Sequence, residues 1–222
     1  MDAKKLAGEK AVEFVKNDMI IGLGTGSTVY WTILKIGELA KQGLNIKGVP
    51  TSKQTEQLAN ELGIPLVTLS SIHQIDLTID GADEANPEFE LIKGGGGALL
   101  REKMVASISK RLVIVMDETK YVAKLGGFPL PVEITQFGWE MTSRQISALG
   151  CEPLLRQKDS IPYITDNGNY ILDCHFDEIK DAHKLNQALN MIPGVVENGL
   201  FVNMADTMVI GKKDGNVDIL YK

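Results

Sequence analysis

The sequence predicts an α/β protein with a doubly wound, Rossmann-like parallel sheet domain and a second, smaller α+β domain. Apolar strand segments alternate with helical segments through the first half of the 222-residue chain, which is typical of parallel sheets. After a glycine- and proline-rich passage at residues 126–131, the order becomes β-α-β-β-α-β, the ferredoxin-like pattern. We therefore expect a Rossmann-like domain at residues 1–127 plus 205–222, and a ferredoxin-like domain at residues 128–204.

The elements of the first domain follow from apolar spacing and from breaker residues. Helical spacing over residues 6–15 predicts a first helix, and a second helix follows the glycine-rich loop at residues 22–28. Ser52 is expected to be the N-cap of a helix that runs toward Leu62. Short apolar runs predict the strands, at residues 19–21, 46–49, 65–69, 75–79, 90–92 and 112–116.

The elements of the second domain are shorter and more irregular. They are a strand near Val132, a helix over 139–149, strands around Leu154 and Ile171, a helix over 181–191 and a strand over 195–202. A hairpin over residues 207–210 and 217–221, turning at 213–216, closes the sequence. We expect this hairpin to return to the first domain.

Composition and charge exclude several classes of protein. With 44% hydrophobic residues the chain can bury a substantial core, and its net charge of −6 disfavours nucleic acid and anionic membranes as partners. The longest uncharged stretch, residues 19–34, is interrupted by Gly, Thr and Ser and does not predict a membrane span. The two cysteines, Cys151 and Cys174, have no metal-binding or disulfide-rich spacing and fit a cytoplasmic protein.

The loop at residues 22–28 stands between a strand and a helix. Glycine N–H groups, a helix N-terminus and the hydroxyls of Ser27 and Thr28 together suit a phosphate or another anion. A dinucleotide site is disfavoured, because the last glycine of that fingerprint is missing after Gly24 and Gly26, and Val49-Pro50 stands where an acid would bind ribose. A tight turn without a ligand remains the alternative.

Three acidic residues follow the apolar strand at residues 75–79. Asp80, Asp83 and Glu84 stand at the carboxyl end of that strand, the edge at which open α/β sheets bind ligands. The alternative is a solvated turn in which an acid caps a helix. A metal site is poorly supported, since the three histidines lie outside these loops.

The strongest local signal is the run Lys93 followed by Gly94–Gly97. Four consecutive glycines give up all side-chain packing, which indicates close approach of the backbone to a ligand. Lys93, together with Lys120 after the strand at 112–116, supplies the positive charge that a phosphorylated ligand requires. Each lysine taken alone would be read as a solvated side chain.

A helix over residues 98–109 follows the glycine run. We expect Leu100, Met104 and Ile108 to form its core row, which points Glu102 away from the core. Glu102 would then overhang a ligand held by the glycine loop. A surface glutamate paired with its neighbours is the alternative.

Taken in order, these motifs resemble ribose-5-phosphate isomerases of the A type. The resemblance runs essentially end to end. It is carried by residues 24–28 (GTGST), 80–84 (DGADE), 93–103 (KGGGGALLREK), 128–133 (FPLPVE), 165–169 (TDNGN) and 192–196 (IPGVV).

The resemblance implies an aldose-ketose isomerase of the pentose phosphate pathway that works through an enediolate. It implies Glu102 as the base, with Asp80, Asp83 and Lys93 around the sugar. It also implies substrate binding by Thr25, Gly26, Ser27, Thr28, Gly81, Ala82, Gly94, Gly95, Gly96 and Lys120. Neither a metal nor an organic cofactor is expected.

Two other classes of function stay open at this point. One is a non-catalytic sugar-phosphate sensor, although residues 1–18 contain no basic helix-turn-helix. The other is a related enzyme, an amino-sugar-phosphate deaminase or a CoA transferase. The family resemblance further implies a homodimer or homotetramer.

Overall fold

The computed structural model describes residues 2–222, which form two compact units. Unit 1 consists of Met1–Ala82, Arg101–Tyr121 and Met204–Lys222. Unit 2 consists of Asp83–Leu100 and Val122–Asn203. Residues 83–100 and 122–127 therefore lie in unit 2, whereas the sequence-based domains place them in the first domain.

The secondary structure follows the predicted alternation closely. The helices are α1 (Ala3–Ala11), α2 (Val29–Lys41), α3 (Lys53–Leu62), α4 (Leu99–Ser107), α5 (Trp139–Ser147) and α6 (Ala182–Asn190). Short 3₁₀ helices cover Val12–Phe14, Leu69–Ser71 and Glu118–Lys120. The strands are β1 (Met19–Leu23), β2 (Ile46–Pro50), β3 (Leu77–Gly81), β4 (Glu84–Ala85), β5 (Leu91–Ile92), β6 (Leu112–Asp117), β7 (Leu130–Ile134), β8 (Glu152–Leu155), β9 (Gln157–Lys158), β10 (Ile161–Pro162), β11 (Tyr170–His175), β12 (Val195–Asn198), β13 (Leu200–Phe201), β14 (Thr207–Gly211) and β15 (Val217–Tyr221). No helix within residues 2–222 has the length and apolar character needed to cross a membrane.

Unit 1 is built on a six-stranded sheet with the order β15-β14-β6-β3-β1-β2. All neighbours pair in parallel except β15, which forms an antiparallel hairpin with β14. The predicted return of this hairpin to the parallel sheet is confirmed, because β14 pairs with β6. In the centre of the sheet, Ile21 pairs with Gly48 on one side and with Leu77 on the other. Because all the parallel strands point the same way, their carboxyl ends share one edge.

The core of unit 1 is formed by the strands and by the apolar faces of the helices. Ile21, Ile79 and Val113 from the sheet pack in one cluster with Ile33 and Ile36 from α2, and all of them are at most 2% exposed. The predicted N-cap of α3 is confirmed, since the Ser52 hydroxyl accepts a hydrogen bond from the Thr55 N–H at 3.0 Å. These contacts fix the loops that follow each strand.

Unit 2 contains a four-stranded antiparallel sheet with the order β12-β7-β11-β8. Its main elements run β7, α5, β8, β11, α6 and β12 along the chain, with the small β9-β10 hairpin between β8 and β11. A three-stranded sheet, β13-β5-β4, also lies in this unit.

Residues 83–100 join unit 2 because their hydrogen bonds lead to other residues of that unit. Both oxygens of the Glu84 carboxylate accept hydrogen bonds, from the Gly126 N–H at 2.8 Å and from the Phe128 N–H at 2.7 Å. The Val122 N–H donates to the Ala85 carbonyl at 2.9 Å. These are side-chain and backbone contacts between distant parts of the sequence, which a local pattern does not reveal.

Two predicted strands differ from the structure. The strand expected at residues 65–69 is wrong: only a bridge between Leu66 and Gly48 forms there, because Pro65 has no N–H to donate and a 3₁₀ helix begins at Leu69. The strand expected at residues 195–202 is divided into β12 and β13, which belong to different sheets. The division falls at Gly199, where a Cβ atom would stand 2.2 Å from the Lys93 carbonyl oxygen.

The buried face of α4 also differs from the prediction. Leu99, Glu102 and Val105 are buried, whereas Met104 is 48% exposed, so the expected core row of Leu100, Met104 and Ile108 is wrong. Glu102 consequently lies on the buried face rather than pointing away from it. Because the buried row contains a carboxylate, hydrophobic spacing does not identify it as the core-facing row.

Candidate active site

The carboxyl edge of the parallel sheet in unit 1 contains a topological switch point between β1 and β3. From β1 the chain passes to β2 on one side, and the later strands β3, β6 and β14 follow on the other side. Ligands of open α/β sheets bind outside the strand ends at this kind of position. The two loops concerned are those that follow Leu23 and Gly81.

Asp80 joins these two loops. Its side chain is buried, at 1% exposure, and its Oδ1 atom accepts hydrogen bonds from the N–H groups of Thr25 at 3.1 Å and Gly81 at 2.8 Å. Gly24 permits the contact, because a Cβ atom there would stand 2.2 Å from Asp80 Oδ1. The second glycine of the 22–28 loop is therefore required by an acidic side chain of the neighbouring strand.

The Thr25 side chain lies in a cluster of hydroxyl groups that sequence reasoning missed. Its Oγ1 atom is 2.7 Å from Thr51 Oγ1, 2.9 Å from Ser52 Oγ and 3.2 Å from Thr55 Oγ1. The Thr55 hydroxyl also donates to the Gly24 carbonyl at 2.9 Å. The sequence signal for this cluster was the Ser52 N-cap, which places the start of α3 at the carboxyl end of β2.

The two residues of this loop that follow Thr25 are accessible near the start of α2. Gly26 and Ser27 are exposed, and Gly26 adopts a left-handed φ of 129° that favours glycine. Thr28 is the N-cap of α2 but makes no capping hydrogen bond with its side chain. The N–H groups at a helix N-terminus suit an anion, and in α2 those of Tyr30 and Trp31 already donate to the Gly26 and Thr28 carbonyls at 3.0 and 3.2 Å. Lys4, which sequence reasoning missed, donates to Ser27 Oγ at 3.1 Å and adds positive charge.

Three further predicted residues lie in unit 1. Glu102 is 3% exposed in the first turn of α4. Lys120 is partly buried and ends the 3₁₀ helix that follows β6, at the carboxyl edge of the sheet. Ala82 follows directly after β3 and Gly81.

The other predicted residues lie in unit 2, where Asp83 holds the glycine run. The Gly95 N–H donates to Asp83 Oδ2 at 2.7 Å, and a Cβ atom at Gly95 would stand 2.6 Å from the other carboxylate oxygen. Lys93 is 2% exposed, and its ammonium group lies 5.3 Å from the centroid of the Phe201 ring, a cation–π distance.

The glycine run forms a tight turn held from outside. The Gly97 N–H donates to the Gly94 carbonyl at 2.9 Å, and both residues have left-handed φ values, 106° at Gly94 and 79° at Gly97. Gly95 and Gly96 are exposed. Arg156, which sequence reasoning missed, donates to the carbonyl oxygens of Gly94 at 2.9 Å and Gly95 at 3.2 Å.

Each unit thus brings part of the predicted set together. Unit 1 places the Asp80 carboxylate against the 22–28 loop, and unit 2 places the Asp83 carboxylate against the glycine run. Carboxylates can transfer protons, and backbone N–H groups with lysines can bind an anion. Within residues 2–222, no three His, Cys, Asp or Glu side chains are grouped in a way that could hold a metal ion.

Comparison with known proteins gives consistent similarities. Residues 47–215 match the family model described as ribose 5-phosphate isomerase A (phosphoriboisomerase A). The chain is 58% identical to a ribose-5-phosphate isomerase A of Bacillus mycoides (strain KBAB4) over 216 residues, which cover 97% of this chain and 98% of the relative. It is 49% identical to a ribose-5-phosphate isomerase A of Listeria monocytogenes serotype 4b (strain CLIP80459), over all of both chains.

Solved structures show the same similarity. A ribose 5-phosphate isomerase from Plasmodium falciparum has a TM-score of 0.96 and 44% identity, covering 99% of this chain and 98% of that one. A D-ribose-5-phosphate isomerase in complex with phospho-erythronic acid has a TM-score of 0.96 and 40% identity, covering 100% of this chain and 98% of that one.

Proposed function

The chain belongs to the ribose 5-phosphate isomerase A family, and from this premise we propose that it interconverts D-ribose 5-phosphate and D-ribulose 5-phosphate in the non-oxidative pentose phosphate pathway. The reaction moves a proton between C2 and C1 of the open-chain sugar. A base removes the C2 proton of the aldose, an enediolate forms, and the proton is delivered to C1 to give the ketose.

Glu102 is the proposed base. The observation that carries this assignment is the burial of its carboxylate, at 3% exposure, in the first turn of the helix that follows the glycine run. Glutamates on helices are mostly exposed, and a carboxylate is rarely buried without a partner or a function. Burial also limits the access of water, which would otherwise compete for the transferred proton.

The other polar groups are proposed to handle the oxygens of the sugar. Asp80 and Asp83 assist ring opening and move the proton between O1 and O2, and the Lys93 ammonium stabilises the negative charge of the enediolate. The hydrogen bonds from Thr25 and Gly95 to the two carboxylates support these roles, because they leave each carboxylate with a defined orientation. Substrate binding is assigned to Thr25, Gly26, Ser27, Thr28, Gly81, Ala82, Gly94, Gly95, Gly96 and Lys120.

The proposal extends to the surroundings of the reaction. We expect a cytoplasmic homodimer or homotetramer that needs neither a metal nor an organic cofactor. The Rossmann-like and ferredoxin-like descriptions of the two predicted domains are part of the same proposal. They are supported by the strand orders of the six-stranded and four-stranded sheets.

The proposal is tested by the variant Glu102→Gln, which keeps the size of the side chain but removes the base. We expect the kcat for ribose 5-phosphate to fall by roughly 10²- to 10⁴-fold, the usual contribution of a general base. The matched control is Glu140→Gln, because Glu140 lies in the first turn of the nine-residue helix α5 and is exposed. The control variant is expected to retain the wild-type kcat.

Two results contradict the proposal. A wild-type chain that does not isomerise ribose 5-phosphate contradicts the activity itself. A folded Glu102→Gln chain with near-normal kcat removes Glu102 from the mechanism and leaves the activity intact.

A further inference from the structure

The glycine run has few contacts of its own to hold its conformation. Residues 94–97 have no side chains to pack, and glycine loses more backbone freedom on folding than any other residue. A hydrogen bond from the Gly97 N–H to the Gly94 carbonyl closes the turn, and the peptide groups between these two residues are oriented further by partners elsewhere in unit 2.

Arg156 is such a partner. Its Nη1 atom donates to two successive carbonyl oxygens, those of Gly94 at 2.9 Å and Gly95 at 3.2 Å. The residue directly follows β8, and its own backbone is fixed at both ends. Its N–H donates to the Ile171 carbonyl at 2.9 Å, and its carbonyl accepts from the Tyr163 N–H at 2.9 Å.

The guanidinium group is itself held by Asp173. Arg156 Nε donates to Asp173 Oδ2 at 2.9 Å, and Arg156 Nη2 donates to Asp173 Oδ1, so the two side chains form a bidentate pair. Asp173 lies on β11 between β7 and β8, in register with Pro131 and Leu154. The side chains of the pair are only 14% and 22% exposed, which limits screening by solvent.

Because peptide groups are planar, the direction of each carbonyl in the run also fixes the direction of the N–H that follows it. In a trans peptide the C=O and the following N–H point in opposite directions, and no cis peptide bond occurs within residues 2–222. The Gly94 carbonyl points to Arg156, and the following Gly95 N–H indeed points away from it, to Asp83 Oδ2. By the same rule, the Gly96 N–H points away from Arg156 and toward the side of the run on which Asp83 lies.

We propose that Arg156, braced by Asp173, is a positioning residue that aims the Gly96 N–H at the enediolate oxygen of the substrate. The inference rests on the proposed isomerase function, since it requires an oxyanion to stabilise. A preorganised backbone N–H stabilises such a charge strongly because it needs no reorganisation during the reaction. Arg156 does not touch the substrate in this account; it acts through the Gly94 and Gly95 carbonyls.

Lysine cannot replace arginine in this arrangement. One ammonium group cannot form the bidentate pair with Asp173 and also reach two carbonyl oxygens, because it lacks the planar fork of donors. Arg156→Lys therefore keeps the positive charge but loses the combined contacts with Asp173 and the two carbonyl oxygens. The variant distinguishes a positioning role of Arg156 from a purely electrostatic one.

The test compares Arg156→Lys with the wild-type chain in the isomerase assay and in two binding measurements. We expect kcat to fall by roughly 10- to 100-fold, because a misplaced oxyanion donor has an effect of this order, while KM changes by less than about threefold. The first binding probe is phospho-erythronic acid, whose carboxylate resembles the charged enediolate. Its Kd is expected to rise by about the factor by which kcat/KM falls. The second probe is inorganic phosphate, whose Kd should stay within about twofold.

Matched variants accompany the test. Arg144→Lys is the control, since Arg144 is exposed on α5 and is expected to keep the wild-type kcat. Asp173→Asn removes the brace without changing Arg156 and should reproduce the same pattern of kcat and Kd changes. The kcat of the double variant Arg156→Lys/Asp173→Asn should be no lower than that of Arg156→Lys alone, because the two residues are expected to act through the same interaction.

Several results would overturn the inference. A folded Arg156→Lys chain with wild-type kcat does so, and so does an equal loss of affinity for both probes, which would indicate a direct contact with the phosphate. If Arg156→Lys does not fold, the inference is tested with Asp173→Asn, by comparing its Kd values for phospho-erythronic acid and inorganic phosphate with those of the wild type. A wild-type chain without isomerase activity contradicts the proposed function instead, which separates the two failures.

Discussion

Replacing Gly24 by alanine tests the contact between the first glycine loop and Asp80. The new Cβ atom would stand 2.2 Å from Asp80 Oδ1, 2.4 Å from its Cγ and 2.6 Å from its Cα. Since ordinary contacts begin near 3.4 Å, Asp80 must retreat by roughly 1 Å, and its Cα position means that the end of β3 must move as well. Asp80 is 1% exposed, so no open space receives it.

Two magnitudes follow for Gly24→Ala. Overpacking of a buried site costs about 1–3 kcal/mol of unfolding free energy, which lowers Tm by roughly 2–12 °C in a chain of this size. A displacement of about 1 Å at a group that handles substrate lowers kcat/KM by about 10²-fold. The assays are a thermal melt and the isomerisation of ribose 5-phosphate.

The stability control for this experiment is Gly81→Ala. A Cβ atom at Gly81 would meet its nearest neighbours at 3.6–3.8 Å, an ordinary contact, and we expect its Tm to stay near the wild-type value. The reasoning is refuted if Gly24→Ala retains both the wild-type Tm and the wild-type kcat/KM.

Two further predictions concern titratable groups outside the candidate site. The Lys110 ammonium and then the Ile20 N–H hold the pKa of Asp76 below its usual range, so this stabilisation is present above the unfolded pKa of about 4 and is lost as the pH falls through the folded pKa. Asp76→Asn should lower the unfolding free energy by up to about 1 kcal/mol at pH 7 and by less at acidic pH; equal losses at pH 7 and at acidic pH in urea titrations would contradict this. The neighbouring Cys174 thiol lowers the pKa of the half-buried Cys151 thiol, and thiolates are the reactive form. The pH profile of Cys151 alkylation by iodoacetamide should therefore shift to higher pH in Cys174→Ala, and an unchanged profile would contradict an effect of Cys174 on the Cys151 pKa.

The carboxyl edge of the parallel sheet could be predicted because it depends on local signals. Strand segments followed by glycine or acidic residues identify strand ends, and parallel strands collect those ends at one edge. In the structure the Asp80 carboxylate accepts a hydrogen bond from the Thr25 N–H at this edge. The reason for Gly24 could not be predicted, since it is the close approach of Asp80 from a neighbouring strand.

The features that sequence reasoning missed depend on contacts between distant residues. The hydroxyls of Thr51 and Thr55 reach Thr25 only once β2 is paired beside β1. Arg156 reaches the glycine run from a strand end more than fifty residues later. No local pattern marks either contact.

The face of α4 was mispredicted for a different reason. Helical spacing offers two candidate rows, and the apolar one, which contains Met104, is partly exposed. The buried row contains the carboxylate of Glu102, so the rule that charged residues lie outside fails at the residue proposed to carry the chemistry. Such a local conflict is itself a signal of a functional position.

The most direct test of the central claim follows the C2 proton of ribose 5-phosphate by NMR in D₂O. The wild-type chain is expected to incorporate deuterium at C2 of recovered ribose 5-phosphate and at C1 of ribulose 5-phosphate. Glu102→Gln should do so roughly 10²- to 10⁴-fold more slowly, while Glu140→Gln matches the wild type. Exchange at the wild-type rate in a folded Glu102→Gln chain would contradict the account.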